Sequence, residues 1–151
     1  DTARYDFTFL KDKFNKLWSD NIYELVGVMS YILDYTDLSS LYKLTKQEQI
    51  EYINNYWQNK NLENSKHVNV LLHELNNRFD YVNKEFSIND AIKGWESDRG
   101  KTYLIRGKPE RIETKYSYEE NTNYQIWVYH SGYKVIFMEV GMGDYKIQER
   151  F

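Results

Sequence analysis

Glu96 and Asp98 stand two residues apart with Arg99 beside them, inside the heptapeptide Gly94-Trp95-Glu96-Ser97-Asp98-Arg99-Gly100. Two carboxylates so spaced could divide the work of a general acid and a general base, with the arginine clamping an anionic group through two hydrogen bonds. A hydrolase or transferase acting on a glycan or peptidoglycan-like substrate would use Glu96 and Asp98 in those roles and Arg99 as electrophilic support. Glycosidic chemistry, however, needs its carboxyls about 5 to 9 Å apart across a sugar, a geometry that sequence neighbours seldom reach alone. The same residue types suit a tightly bonded turn. Ser97 and Asp98 would then satisfy nearby backbone amides, Arg99 would fork onto carboxylate or carbonyl oxygens, and Trp95 would plug an interface. Short polar side chains in turns usually bond to local backbone, so this structural reading is preferred. It assigns Gly94, Trp95, Ser97, Asp98, Arg99 and Gly100 to a junction.

Other chemistries find less support. The stretch from Gly94 to Pro109 holds four basic and two acidic residues in an otherwise acidic chain, which raises phosphate or nucleotide binding through Gly94, Arg99, Gly100, Lys101, Arg106, Gly107 and Lys108. It matches neither the P-loop nor the dinucleotide fingerprint, and its glycines are read as preceding a strand rather than a helix. His67 and His73 lie six residues apart, which on a helix turns them about 120° from each other; with His130 they offer no metal spacing. No serine sits in a Gly-x-Ser-x-Gly elbow. Neither a metal nor a cofactor is implied.

The elements that must position these residues follow from periodicity. Tyr5, Phe7 and Phe9 alternate like a strand, and Leu10, Phe14, Leu17 and Trp18 follow a helical spacing, so an extended arm entering a helix is expected. Between Ile22 and Tyr35, Leu25, Val26, Met29, Ile32 and Leu33 form one helical stripe. Thr45-Lys46-Gln47-Glu48 reads as a capping box that starts a helix carrying Ile50, Ile53 and Trp57. Val68, Leu71, Leu72, Leu75, Phe79, Val82 and Phe86 advance by steps of one, three or four, the mark of an amphipathic helix of about four to five turns. Past Ser87 the pattern changes. Tyr103-Leu104-Ile105 reads as a strand closed by Gly107-Lys108-Pro109, followed by a polar span from Thr114 to Asn123. Tyr124 to Tyr129 and Tyr133 to Val140 read as a hairpin joined through His130-Ser131-Gly132, with a last strand at Tyr145 to Ile147 after the Gly141 turn. Helices first and strands second predict an α+β fold, an N-terminal helical subdomain packed on a small antiparallel sheet, in one domain of residues 1–151 with a helical part at 1–90 and a strand-rich part at 91–151.

The strand-rich part is crowded with rings. Alternation puts Tyr124, Ile126 and Val128 on one face and Gln125, Trp127 and Tyr129 on the other. One face should pack on helices, which leaves the second to present an aromatic surface to a partner or to be covered by the polar span or the N-terminal arm. Trp127, Tyr129 and Tyr133 are the candidates for partner binding.

Composition sets the outer limits. A chain of 151 residues buries roughly two-thirds of its unfolded surface, enough for a core. Twenty basic and twenty-three acidic residues leave a net charge of −3, which disfavours capture of nucleic acid. The chain contains no cysteine, so disulfides, thiolate metal sites and a cysteine nucleophile are excluded. No stretch approaches the eighteen apolar residues of a membrane-spanning helix. The first residue is Asp1 and not Met, so the sequence is expected to be either a processed form, compatible with a signal peptide already removed, or a piece of a longer chain.

With these residues in place, the chain resembles the GWxTD-domain family of bacterial proteins, whose motif stands here as Gly94-Trp95-Glu96-Ser97-Asp98. The likeness continues through Asp98-Arg99-Gly100, the strand and Gly-x-Pro turn of Lys101 to Pro109, the aromatic-Trp-x-Tyr strand of Tyr124 to Tyr129 and the glycine turn of Gly141 to Tyr145. Upstream it takes in the helices of Thr45 to Trp57 and Val68 to Phe86, so that it spans about residues 35 to 151. Ser97 stands where the family motif has Thr, keeping the hydroxyl and losing a methyl, and Gln58-Asn59-Lys60-Asn61 lacks the arginine and proline usual there. The resemblance implies an exported protein of the periplasm or outer membrane, envelope-associated in Bacteroidota-like bacteria, with an envelope protein or assembly as partner and no established catalytic activity. The sequence leaves its oligomeric state open.

Overall fold

The computed structural model describes residues 15–61 and 69–151. The expected arm at Tyr5 to Phe14, and His67 and Val68, lie outside them. Among the described residues, five α-helices precede a four-stranded antiparallel sheet, the α+β arrangement that the order of periodicities predicts. The chain forms two compact units, Asp1–Asn77 and Arg78–Phe151.

In the first unit the helices begin where side chains can cap them. Asn21 accepts from the Tyr23 amide to open α1 (Ile22–Met29). The helix ends sooner than the stripe from Ile22 to Tyr35 suggests, because the Ser30 hydroxyl takes the Gly27 carbonyl and Asp34 then caps a separate helix, α2 (Tyr35–Tyr42), by accepting from Asp37. Local side-chain bonds of this kind compete with helix propagation. Thr45 opens α3 (Lys46–Lys60) with the full capping box: its amide donates to Glu48 Oε2 at 2.8 Å and its hydroxyl accepts from the Glu48 amide. Leu17 and Trp18, read as helical, lie in a bent segment before α1. There Trp18 meets Trp57 edge to face, with centroids 6.2 Å apart. Leu25, Val28, Met29, Leu41 and Ile53 are buried with them, each such side chain contributing on the order of 2 kcal/mol. Asn69 binds the Trp57 carbonyl and accepts from the Leu72 amide ahead of α4 (Val70–Phe86). The amphipathic stripe of α4 is buried at Leu72, Leu75, Phe79, Val82 and Phe86, whereas Leu71 is exposed.

The second unit holds the end of α4, a 3-10 turn at Gly94–Glu96, α5 (Asp98–Arg106), and strands β1 (Arg111–Ser117), β2 (Thr122–Val128), β3 (Lys134–Gly141) and β4 (Asp144–Arg150). The strands follow one another as a meander in the order β1-β2-β3-β4. Tyr103-Leu104-Ile105, expected as a strand, is the last part of α5. Its helical state is secured at both ends: Ser97 caps it, and Arg78 Nη1 donates to the Leu104 carbonyl at 3.0 Å at the other. A cation bonded to terminal carbonyls also suits the negative end of the helix dipole. Gly107, at a φ of 76°, turns the chain out. The polar span from Thr114 conceals strand β1, an edge strand whose charged residues leave little alternating signal. Met142 and Gly143 both have positive φ, which makes the β3–β4 connection a type I′ hairpin turn.

Candidate functional site

The motif is assembled around two glycines that permit backbone to approach backbone. A Cβ on Gly94 would lie 1.8 Å from the Val82 carbonyl oxygen of α4, and one on Gly100 would lie 1.8 Å from the carbonyl oxygen of Gly94. No side chain fits at either place. The close approach is fixed by hydrogen bonds from the polar residues between and around them. The Gly94 amide donates to Ser87 Oγ at 2.9 Å and the Trp95 amide to Asn83 Oδ1 at 3.1 Å. Ser97, buried, donates its hydroxyl proton to the Gly94 carbonyl at 2.7 Å and accepts from the Gly100 amide at 3.0 Å. Ser97 therefore closes the 3-10 turn and starts α5 with one oxygen. Trp95 is 2% exposed beside it.

Asp98 and Arg99 reach farther than a local turn. Asp98 Oδ2 accepts from the Ile147 amide at 2.9 Å, tying the first turn of α5 to β4 forty-nine residues along the chain. Arg99 Nη2 donates to the Gly143 carbonyl at 2.8 Å, so it holds the hairpin turn. Its guanidinium also lies over two rings, 4.2 Å from the Tyr145 centroid and 4.9 Å from that of Phe86. Burial lowers the Arg99 pKa, while Tyr145, Asp144 and Glu139 oppose that shift. Glu139 itself is held below the usual carboxylate range, first by the Asn123 side-chain amide at 2.8 Å, and its other oxygen accepts from the Gly143 amide.

The charged groups of the motif each have a partner within the chain. Glu96 Oε2 accepts from the Lys93 amide at 3.3 Å, Asp98 is engaged by β4, and Arg99 is stacked between rings. Gly94 and Gly100, expected to precede a strand, instead precede and enter a helix. Three of the groups that a phosphate site there would use are engaged within the chain. The Gly100 amide goes to Ser97, Arg99 goes to Gly143, and Arg106 lies over the Tyr133 ring at 3.6 Å. His130 Nδ1 sits 3.5 Å from Glu110 Oε2 in an exposed turn. Among the described residues, no group of three or more His, Asp or Glu side chains is placed to hold a metal ion.

The three ring residues expected to meet a partner are located differently. Trp127 is 0% exposed, with centroids 5.6 Å from Phe86 and 4.9 Å from Phe137. Tyr129 is buried with its hydroxyl on the Gly107 carbonyl, and Tyr133 is half-buried beneath Arg106. The face expected to be open is thus the core face, and the one bearing Tyr124 and Ile126 is the open one. Sequence reasoning also missed Asn83, Ser87, Phe86, Glu139 and Gly143. No motif marks them as site residues, because their roles depend on partners outside any short pattern: Ser87 meets Gly94, Asn83 meets Trp95, Phe86 and Gly143 meet Arg99, and Glu139 meets Asn123 and Gly143.

Fold and site together define a small α+β module in which the charged heptapeptide is a joint, binding a helix, a 3-10 turn and a hairpin. The family model of the GWxTD domain matches residues 1–140, and the chain belongs to that family. The match extends upstream of the portion recognised from motifs alone and stops within β3. No curated protein matches the chain, and no solved structure does.

Proposed function

We propose that this chain is a non-enzymatic binding or structural module of the bacterial cell envelope, exported to the periplasm or the outer membrane and working as an accessory part of a protein assembly. One observation supports the non-enzymatic part: Glu96, Asp98 and Arg99 each bond to the chain's own backbone, at Lys93, Ile147 and Gly143. A catalytic trio would instead converge on space where a substrate atom could sit. The envelope setting is drawn from the family resemblance. No helix among the described residues is long and apolar enough to cross a membrane.

Asp98→Asn and Asp98→Ala test the proposal in the full-length protein. Asparagine keeps an oxygen that can accept the Ile147 amide, so Asp98→Asn should melt close to the parent and support the same cellular function. Asp98→Ala should lower stability by about 1 to 3 kcal/mol, the cost of losing a hydrogen bond to a charged group. An Asp98→Asn protein that folds like the parent yet behaves in cells as a deletion would overturn the module reading in favour of a hydrolase or transferase. Cell fractionation checks the location, and a protein confined to the cytoplasm would refute it.

A further inference from the structure

The open face of the sheet carries a charge pattern that complements itself. Directly paired residues of an antiparallel sheet share a face, so the register aligns Glu113, Ile126, Ile136 and Glu149 in one row across the four strands. The adjacent row is Lys115, Tyr124, Met138 and Lys146. Each row has an apolar centre and ends of one sign, acidic in the first and basic in the second. Contacts support the assignment to one face: the Tyr124 hydroxyl lies 3.1 Å from Met138 Sδ, and Arg111 Nε pairs with Glu113 at 3.0 Å. The four central side chains are half-buried, in contrast to Trp127, Val135 and Phe137 on the opposite face, which are fully enclosed.

We propose that this face docks on the same face of a second copy of the chain, which deepens the binding-module reading and rests on it. A twofold axis parallel to the rows and midway between them lays each acidic row over the partner's basic row. Glu113 then meets Lys115 of the other copy, Glu149 meets Lys146, Ile126 meets Tyr124 and Ile136 meets Met138, every contact occurring twice. This is the isologous geometry of a cyclic dimer, with two sheets stacked about 10 Å apart. The remaining row, Arg111, the buried Val128 and Lys134, falls over the neutral residues Ser117, Thr122 and Val140, so no like charges oppose in these rows. Four strands at a spacing of about 4.8 Å, each about 23 Å long, offer a face of roughly 440 Å² per copy. The two together bury on the order of 1,000 Å², at the lower end of specific interfaces. Rim charges of this kind set register and partner choice more than affinity, while the apolar centre supplies the attraction. A reversible dimer is therefore expected.

Sedimentation of the purified chain, from low micromolar to near-millimolar concentration, should show the mass rising from one chain to two. Glu113→Lys with Glu149→Lys makes both rows basic; Lys115→Glu with Lys146→Glu makes both acidic. Each double variant should remain at one chain mass over that range, and an equimolar mixture should regain the double mass. These four side chains are at the rim, and circular dichroism of each variant checks that it folds. A parent that stays at one chain mass overturns the proposal, as do variants that dimerise like the parent or a mixture that fails to restore association. Fractionation and the Asp98 variants report on the module reading separately, whatever the sedimentation result.

Discussion

Arg99→Ala removes the contact through which α5 holds the β3–β4 turn. Three interactions go at once: the 2.8 Å bond to the Gly143 carbonyl and the stacking on Tyr145 and Phe86. A hydrogen bond to a charged group contributes about 1.5 to 3 kcal/mol, and each partly exposed cation–π contact adds about 0.5 to 1 kcal/mol. Alanine also relieves the burial that lowers the Arg99 pKa, and this offsets part of the loss. The net destabilisation is about 2 to 3 kcal/mol once that relief is counted. In a chain of 151 residues this corresponds to a fall in Tm of roughly 5 to 10 °C. Thermal melts followed by tryptophan fluorescence report it, because Trp95 and Trp127 are buried in the same unit as Arg99. Arg99→Lys separates charge from shape. It keeps the cation but loses the planar fork and ring stacking, so its Tm should fall between those of the parent and the alanine variant. An Arg99→Ala protein that melts with the parent would refute the assignment of Arg99 to the joint.

Two further perturbations probe the same unit. Gly94→Ala places a Cβ where the Val82 carbonyl oxygen stands, and overpacking against backbone should cost about 3 kcal/mol or more; urea denaturation with a parent-like midpoint would contradict the close approach. Burial pushes the Tyr129 hydroxyl from 10.0 up to about 12. An acid whose folded pKa is raised keeps its full stabilising contribution below the unfolded pKa and loses it as pH rises through the folded value. Stability should consequently decline between pH 10 and about 12, and Tyr129→Phe should flatten that decline. Ultraviolet difference titration checks the assignment: the phenylalanine variant should lack one late-ionising tyrosine, and an unchanged titration curve would disprove it.

Signals that lie within a few residues of one another were legible. The Thr45 capping box, the period of α4 from Leu72 to Phe86 and the glycine turn at Gly141 to Asp144 all correspond to observed elements. Ser97 was legible as a turn residue bonded to nearby backbone for the same reason, since its partners are within three residues, but the helix that it caps was not. Tyr103-Leu104-Ile105 misled because three consecutive apolar residues fit a short strand as well as a helix end. The deciding groups, Ser97 at one end and Arg78 at the other, are outside that tripeptide. Strand β1 was hidden by its charged edge, and its pairing becomes visible only with β2 beside it. Alternation correctly divided Tyr124 and Ile126 from Trp127, but a period of two is symmetric and does not say which face is enclosed.

The sequence by itself determined the α+β order, the helix start at Thr45, the family and the motif residues of the joint, because caps, periodicity and motif identity are properties of short segments. Only tertiary structure decided what the joint fastens. Asp98 reaches Ile147 and Arg99 reaches Gly143 across more than forty residues, and Gly94 is required by the carbonyl of Val82 on another helix. It likewise decided that Trp127 is core while Tyr124 and Ile126 face outward, since the side of a sheet that loses contact with water is selected by what packs against it.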